Sequence, residues 1–316
     1  MAGLRAIGID LGGTQVRAAL VERGRVLRRA AARTDVRGGP PAVLAQFRQL
    51  VAAVCDEATR PSVAGIGVSA PGPLDSEAGI ILQIPTLPGW EDIPLRRLLS
   101  AEYQLPVVVE GDGIAAAFGE WQFGAGQGLR HLVYVTVSTG IGGGVVIDGR
   151  LLHGRRGMAA HVGHFRMAAD GLTCSCGATA CFEAFASGTA LGRRAQEAAR
   201  RDAGGWLGRL APPAAIDARQ VVEGARRGDP RSLALLGEEA AYLGAGFTGL
   251  IHLYSPERVI VGGGLSQAFD LLEEGIDAVI ARDAMSPFRT VSVVRAGLGE
   301  DSGLVGAAAL VAAAEG

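Results

Sequence analysis

The stretch Ile9-Asp10-Leu11-Gly12-Gly13-Thr14 decides the fold, because an apolar strand here runs directly into a glycine-rich turn. The residues from Leu4 to Ile9 are mostly apolar and predict a buried strand. Val16 to Val21 then predicts the second strand of a hairpin. The same order of strand, turn and strand returns at residues 131–147, where Leu132 to Val137 leads into Ser-Thr-Gly-Ile-Gly-Gly-Gly at 138–144. The chain therefore contains two copies of one strand–turn–strand motif.

Further strands and helices alternate along the chain, which is the pattern of an α/β protein. Duplicated strand–turn–strand units that face each other across a cleft are the plan of the actin-like, or hexokinase-like, ATPase fold, and we predict that fold here. We expect a small N-terminal domain at 1–112, completed by a C-terminal helix at 302–316, and a large domain at 113–301. Strands are predicted at 63–69, 107–109 and 259–261, and helices at 42–59, 95–103, 114–121, 187–201, 232–253, 267–280 and 302–314.

The glycine-rich turns have the composition of phosphate-binding loops. Consecutive glycines let backbone N–H groups approach phosphate oxygens, and a threonine hydroxyl adds a donor. An aspartate at a strand end can hold Mg²⁺, usually through water. A third turn, at 262–264, suits the nucleoside and α-phosphate side of ATP. A plain hairpin turn is the alternative for residues 10–14. The residues predicted to bind MgATP are Asp10, Gly12, Gly13, Thr14, Thr139, Gly140, Gly142, Gly262, Gly263 and Gly264.

A carboxylate that follows the strand at 107–109 is the candidate catalytic base. Asp112 stands between a strand and a helix, at the predicted boundary between the two domains. A carboxylate at such a hinge can accept the proton of an attacking hydroxyl during phosphoryl transfer. The alternative is that Asp112 caps the helix that follows, a position that aspartate favours.

Three of the four cysteines lie close together, at Cys174, Cys176 and Cys181. Such a cluster in a chain without a predicted signal peptide indicates metal binding rather than disulfides. With one histidine, three thiolates make a tetrahedral site suited to structural Zn²⁺. We favour His164 over His161 as the fourth ligand.

Composition excludes several classes of enzyme and partner. The chain has no lysine, so it has no Walker-A loop and forms no lysine Schiff base. Its formal net charge of −2 gives no indication of nucleic-acid binding. No apolar run approaches the roughly 20 residues of a membrane helix, and no signal-peptide core is present. We expect a cytoplasmic protein with neither a nucleic-acid nor a membrane partner.

Taken in order, several motifs of this chain resemble the ROK family of bacterial repressors, open reading frames and sugar kinases. The resemblance runs from about residue 5 to 305, and the metal-binding segment is its most specific part. It implies an actin-like fold, a homodimer, and ATP-dependent phosphorylation of glucose or an N-acylhexosamine. The motifs are DLGGT at 10–14, APGP at 70–73, LPGW at 87–90, STGIGGG at 138–144, GH at 163–164, CSCG at 174–177 and CFEAFASG at 181–188.

The resemblance also assigns roles to individual residues. It makes Asp112 the catalytic base and His164, Cys174, Cys176 and Cys181 the zinc ligands. It makes Glu183 a sugar contact. The predicted sugar-binding residues are Gly72, Gly111, Asp112, His161, His164 and Glu183.

The sugar-binding half departs from the family pattern at three positions. Gly111 stands where these kinases usually have an asparagine that holds sugar hydroxyls, and Thr86 stands where another asparagine is typical. The chain lacks asparagine altogether, which accounts for both. His161 replaces a glutamate that touches the sugar, and glutamate is plentiful elsewhere. Because a polar pocket that loses hydrogen-bonding partners discriminates against its usual substrate, we expect an altered sugar preference.

Three functions are therefore open at the level of sequence. The first is a sugar kinase that is glucokinase-like with an altered pocket, or one that acts on N-acetylmannosamine or another sugar. The second is a sugar- or nucleotide-binding protein with weak or lost kinase activity, motivated by Gly111 and His161. The third is a sugar-sensing transcriptional regulator, which is disfavoured because the first phosphate turn begins at residue 10 and leaves no room for a DNA-binding segment before it.

Overall fold

A computed structural model describes residues 5–314. Leu4, and residues 315–316 of the predicted C-terminal helix, lie outside the described residues. Internal contacts divide the chain into two compact units. Unit 1 takes in the described chain up to Arg130, Gly143–Ala160 and the described chain from Ala296; unit 2 takes in His131–Gly142 and His161–Arg295. The domain boundaries expected at 112 and 301 stay a prediction.

The main sheet of unit 1 has the strand order β3-β2-β1-β4-β8. β1 pairs with β2 antiparallel and with β4 parallel, and β4 pairs with β8 parallel. Because carboxyl ends of parallel strands meet at one edge, Asp10 lies in register with Ser69, and Ala70 with Gly111. The strands of this sheet are β1 (Arg5–Leu11), β2 (Gln15–Glu22), β3 (Arg25–Arg33), β4 (Val63–Ala70) and β8 (Val107–Gly111). Between β4 and β8 the chain forms a small antiparallel sheet of β5 (Leu74–Asp75), β6 (Ile80–Gln83) and β7 (Glu91–Ile93).

The second five-stranded sheet has the order β11-β10-β9-β12-β13. β12 pairs in parallel with both β9 and β13, so the turns that follow β9 and β12 leave the same edge. This is the duplicated plan predicted from the sequence. The strands are β9 (Leu132–Val137), β10 (Ile141–Ile147), β11 (Arg150–Leu151), β12 (Arg258–Gly262) and β13 (Ser292–Arg295).

The helices cover the sheets of each unit. In unit 1 they are α1 (Gly39–Val54), α2 (Leu95–Tyr103), α3 (Asp112–Phe123) and α10 (Ser302–Ala314). In unit 2 they are α4 (Phe182–Ala186), α5 (Gly188–Arg201), α6 (Trp206–Leu210), α7 (Ala218–Arg226), α8 (Pro230–Tyr254) and α9 (Glu273–Asp283). None of the helices within residues 5–314 is both long and apolar enough to cross a bilayer.

Helix α10 packs directly on the backbone of β1 and β4. A Cβ at Gly67 would lie 1.7 Å from the Ala307 carbonyl oxygen, and one at Gly8 would lie 2.1 Å from that of Leu304. Only glycine permits this approach. The close packing fixes the N-terminal end of α10, and with it Gly303, beside the carboxylate of Asp10.

The single helix predicted at 267–280 is wrong. The chain instead forms a 3₁₀ segment, Gly264–Leu271, and begins α9 at Glu273. The backbone leaves helical geometry at Ala268, with φ −108° and ψ 20°, so the segment does not form one continuous α-helix with α9.

Candidate active site

Asp10 is held by two side chains at the end of β1. Arg17 Nη2 and Nε donate to its Oδ2 at 2.6 and 3.1 Å, and the Ser69 hydroxyl donates to its Oδ1 at 2.9 Å. Arg17 Nη1 also donates to the Glu300 carbonyl at 2.9 Å. The Asp10 carboxylate is therefore held in one orientation, because Arg17 and Ser69 bind both of its oxygens.

The turn after β1 is closed by its own backbone. The Gly12 N–H donates to the Gln15 carbonyl at 3.0 Å, and the Gly12 carbonyl accepts from the Thr34 hydroxyl at 2.7 Å. A Cβ at Gly13 would lie 3.2 Å from Thr86 Oγ1, and Thr14 is exposed. The Gly12 N–H is thus occupied within a hairpin turn, and the phosphate-binding role of these residues stays a prediction.

Asp112 is the first residue of α3, where its side chain reaches solvent. The N-cap is Gly111, so the alternative that Asp112 caps the helix is wrong. Its Oδ1 accepts from the Gly113 N–H at 2.7 Å. Although solvent reaches the carboxyl, the protein packed around it weakens its hydration, and this raises its pKa to about 6. Repulsion from Asp10 adds to the rise, and the Gly113 N–H opposes it.

The pKa of Asp112 predicts that kcat/KM for phosphoryl transfer falls at acidic pH. A general base acts only when deprotonated, so kcat/KM should be constant above the pKa of Asp112, about 6, and should fall as the pH drops below it. The measurement is kcat/KM for the sugar from roughly pH 5 to pH 8, with ATP and Mg²⁺ in excess. A profile that stays flat to pH 5 would contradict the assignment of Asp112 as the base.

The residue before the base is contacted by Glu110, a buried carboxylate that pairs with a partly exposed histidine. Glu110 Oε1 accepts from the Gly111 N–H at 2.8 Å, and Oε2 lies 3.0 Å from His153 Nε2. The hydrogen bond to Glu110 raises the pKa of His153, despite an opposing effect of burial. A Cβ at Gly111 would meet nothing within 4 Å, so space is open where the resemblance places an asparagine side chain.

The turn after β9 borders a cavity of about 760 Å³ in unit 2. The loop residues Ser138 and Thr139 line one side, and the start of α5 at Gly188 and Thr189 lies next to them. Gly188 N–H donates to the Ser138 carbonyl at 2.8 Å, and Thr189 Oγ1 to the Thr139 carbonyl at 2.7 Å. The N-terminal end of a helix favours anions, and a cavity of this volume accommodates a nucleoside.

The three glycines at the end of β12 have different surroundings. A Cβ at Gly262 would lie 2.0 Å from Tyr134 Oη, and Gly263 has φ +81° with the Val137 carbonyl close by. These two glycines allow the ends of β12 and β9 to pack together. Of the three, Gly264 lines the cavity.

The four predicted metal ligands come together in one cluster. One donor atom from each of His164, Cys174, Cys176 and Cys181 lies within 4.8 Å of the others. Cys176 Sγ and Cys181 Sγ are 3.8 Å apart, and Cys174 Sγ is 3.6 Å from His164 Nδ1. Tetrahedral Zn²⁺ at ordinary bond lengths requires roughly 3.8 Å between two sulfurs and roughly 3.6 Å between sulfur and nitrogen. The geometry therefore fits zinc, and His161 is outside the cluster.

Glu183 and His161, two predicted sugar contacts, lie beside this cluster. Glu183 Oε1 accepts from the Ser175 hydroxyl at 2.6 Å, and Oε2 accepts from the Ile141 N–H at 2.9 Å. His161 is exposed, with its ring centroid 6.3 Å from that of His164. Desolvation lowers the pKa of His161, and His164 adds to the effect. Gly72 lies in the loop after β4. The sugar-binding roles of Gly72, Gly111, His161, His164 and Glu183 stay predictions.

Sequence reasoning missed several parts of these sites. It did not find Arg17 as the partner of Asp10, nor His153 as the partner of Glu110. It also missed two parts of the cavity wall, the start of α5 and the residues Ala218, Arg219 and Val222 of α7. The Ser-Gly-Thr sequence at 187–189 could have indicated the start of α5, because serine is a favoured N-cap. Ser187 caps this helix by accepting from the Ala190 N–H.

Comparisons with known proteins identify the family of the chain. The family model "ROK family" matches residues 6–314. A glucokinase of Thermotoga maritima is 37% identical over 314 residues, 98% of each chain. An N-acetylmannosamine kinase of Yersinia pseudotuberculosis is 32% identical over 96% of this chain and 97% of its own. The crystal structure of a ROK family glucokinase from Streptomyces griseus, in complex with glucose and AMPPNP, superposes with a TM-score of 0.84 at 36% identity, covering 97% of this chain and 98% of that one.

The actin-like α/β fold and these relatives define an ATP-dependent carbohydrate kinase. Within that class, the chain belongs to the ROK family.

Proposed function

We propose that this kinase transfers the γ-phosphate of MgATP to a hydroxyl of glucose. The observation that carries the proposal is Asp112, a solvent-accessible carboxyl with a pKa of about 6 at the strand-to-helix junction. At neutral pH it is ionised, yet its pKa is close enough to neutrality for it to accept a hydroxyl proton efficiently. The glucokinase relatives, at 37% identity in the case of Thermotoga maritima, support glucose as the acceptor.

Phosphate binding is assigned to the two glycine-rich turns. The Ser138–Thr139 side of the cavity and the start of α5 would hold the phosphates, and the rest of the cavity would hold the nucleoside. Gly264 borders the same cavity, in agreement with its predicted role near the nucleoside. Because the chain has no lysine, stabilisation of the transferred group falls to backbone N–H groups, hydroxyls and Mg²⁺.

Two metal ions belong to the proposal. Asp10 fits Mg²⁺, because its carboxylate has lone pairs beyond those used by Arg17 and Ser69 and can accept from water of a hydrated ion. Mg²⁺ would neutralise the charge of the phosphates. The Cys₃His cluster would hold Zn²⁺ in a structural role, because all four tetrahedral positions are filled by protein.

N-acetylmannosamine is the second candidate acceptor. The exposed imidazole of His161 stands where the family resemblance expects a glutamate, and the space beside Gly111 is open. The relative named N-acetylmannosamine kinase is 32% identical to this chain. Both observations allow a sugar other than glucose.

The test is ATP-dependent ADP release with a panel of glucose, mannose, N-acetylglucosamine and N-acetylmannosamine. We expect kcat/KM for glucose to exceed that for every other sugar by about tenfold or more, since a site built for one sugar's hydroxyls rejects its analogues. A higher kcat/KM for N-acetylmannosamine would establish the second candidate. Sugar-independent ADP release, or none with any sugar, would contradict kinase activity of this pocket.

Assembly and location are further parts of the proposal. A homodimer follows from the family resemblance and is tested by light scattering of the purified protein. A cytoplasmic location agrees with the need for MgATP and for reduced cysteines at the metal cluster.

A further inference from the structure

Glu183 joins the metal-binding loop to the turn after β9, within unit 2. Its Oε2 accepts from the N–H of Ile141, the residue that directly follows the turn, at 2.9 Å. Its Oε1 accepts from the hydroxyl of Ser175 at 2.6 Å. Ser175 stands between the ligands Cys174 and Cys176. One carboxylate therefore contacts both the loop that carries two metal ligands and the turn that borders the cavity.

The shape of the turn depends on this contact. A Cβ at Gly140 would lie 2.3 Å from Glu183 Oε2, so the carboxylate occupies the place that any larger residue would need. Within the turn, the Ser138 N–H donates to the Gly140 carbonyl at 2.9 Å. Glycine at position 140 thus leaves room for the Glu183 carboxylate, and the two residues together fix the end of the turn.

The other side of the turn is held by the start of α5. Gly188 N–H bonds the Ser138 carbonyl, and Thr189 Oγ1 bonds the Thr139 carbonyl. The contacts on both sides of the turn therefore come from the short segment that follows the ligand Cys181. Glu183 lies in α4, and Gly188 is the first residue of α5. A metal ion on Cys181 would fix the beginning of this segment.

The donors around the Glu183 carboxylate are specific to this arrangement. A carboxylate close to a phosphate-binding turn repels phosphate, and hydrogen-bond donors beside it reduce this repulsion without removing the charge. Here the Ile141 N–H donates to Oε2, while the Ser175 hydroxyl donates to Oε1 and Cys174 Sγ lies 3.4 Å from Oε1, so a lone pair of Oε2 stays available for a sugar hydroxyl. The Ile141 N–H is occupied by Glu183, so this contact fixes the end of the turn.

We propose that Glu183 is a positioning residue for the nucleotide, through which the metal-binding loop, by way of Ser175, fixes the turn 138–140 in the form that binds ATP phosphates. The inference rests on the proposed ATP-binding role of this turn. It adds a second task to Glu183, whose expected task is sugar binding.

The test is the affinity for ADP, measured by calorimetry with no sugar present. Ser175→Ala removes the hydroxyl and leaves every metal ligand in place. We expect it to weaken ADP binding by about 3- to 10-fold, the effect of losing one ordinary intramolecular hydrogen bond. KM for ATP should rise with little change in kcat, and metal analysis should still find zinc as in the wild type.

Two further variants make the result specific. Ser175→Thr keeps the hydroxyl and should bind ADP nearly as the wild type does. Thr179→Ala removes an exposed hydroxyl from the same loop and should have no effect. ADP affinity of Ser175→Ala within about twofold of wild type, or a loss that appears only when zinc is lost as well, would overturn the inference. If the wild type itself bound no ADP, the proposed function would fail instead.

Discussion

Replacing the candidate base should abolish phosphoryl transfer while leaving the fold intact. We expect Asp112→Asn to lower kcat by about 10²–10⁴-fold, because an amide cannot accept the proton of the attacking hydroxyl. The asparagine side-chain oxygen can still accept from the Gly113 N–H, which is the bond that Asp112 makes at 2.7 Å. Steady-state ADP release with the preferred sugar measures the loss.

Asp148→Asn is the matched control for this substitution. Asp148 is exposed in the turn between β10 and β11 with φ +52°, a conformation that asparagine tolerates. This variant should keep wild-type activity. Both variants should keep the wild-type circular dichroism spectrum and zinc content. Unchanged turnover in Asp112→Asn would remove Asp112 from the role of base.

Loss of one cluster cysteine should cost the protein its zinc and much of the stability of unit 2. Cys181 is fully buried and lies at the start of α4. We expect Cys181→Ala to bind far less zinc than the wild type and to lose roughly 4 kcal/mol of unfolding free energy, the range for loss of a structural metal. Chelation of the wild-type protein should produce the same fall in melting temperature.

Cys55→Ala is the control, because Cys55 lies outside the cluster, in unit 1 next to the end of α1. It should keep wild-type zinc content and lose far less stability. If Cys181→Ala melted as the wild type does, the cluster would have no structural role. Metal analysis and thermal unfolding of the two variants separate the outcomes.

Much of the fold could be predicted from local patterns. Helix α2 and strand β9 have the predicted bounds, because apolar spacing and flanking turn residues define them. The cysteine spacing identified the cluster, since ligands close in sequence must meet in space. The 3₁₀ segment before α9 was missed because its apolar residues also fit the spacing of an α-helix.

The supporting contacts of the site could not be predicted, because they depend on strand register and on how separate segments pack together. Arg17 reaches Asp10 only because β1 and β2 pair in one register, and Glu110 reaches His153 only after the chain has passed through α3 and the second hairpin. The capping interpretation of Asp112 failed by one residue, since Gly111 holds that place. Tertiary pairing, rather than propensity, decides such contacts.

The packing of α10 on β1 and β4 bears on the order in which the protein folds. During synthesis the first sheet emerges long before the helix that covers it, so the glycine-lined face of β1 and β4 is open until the last part of the described chain appears. Contacts so distant in sequence form late and slowly. Because an exposed apolar sheet face favours aggregation, we expect chains that lack α10 to aggregate more readily than the complete chain.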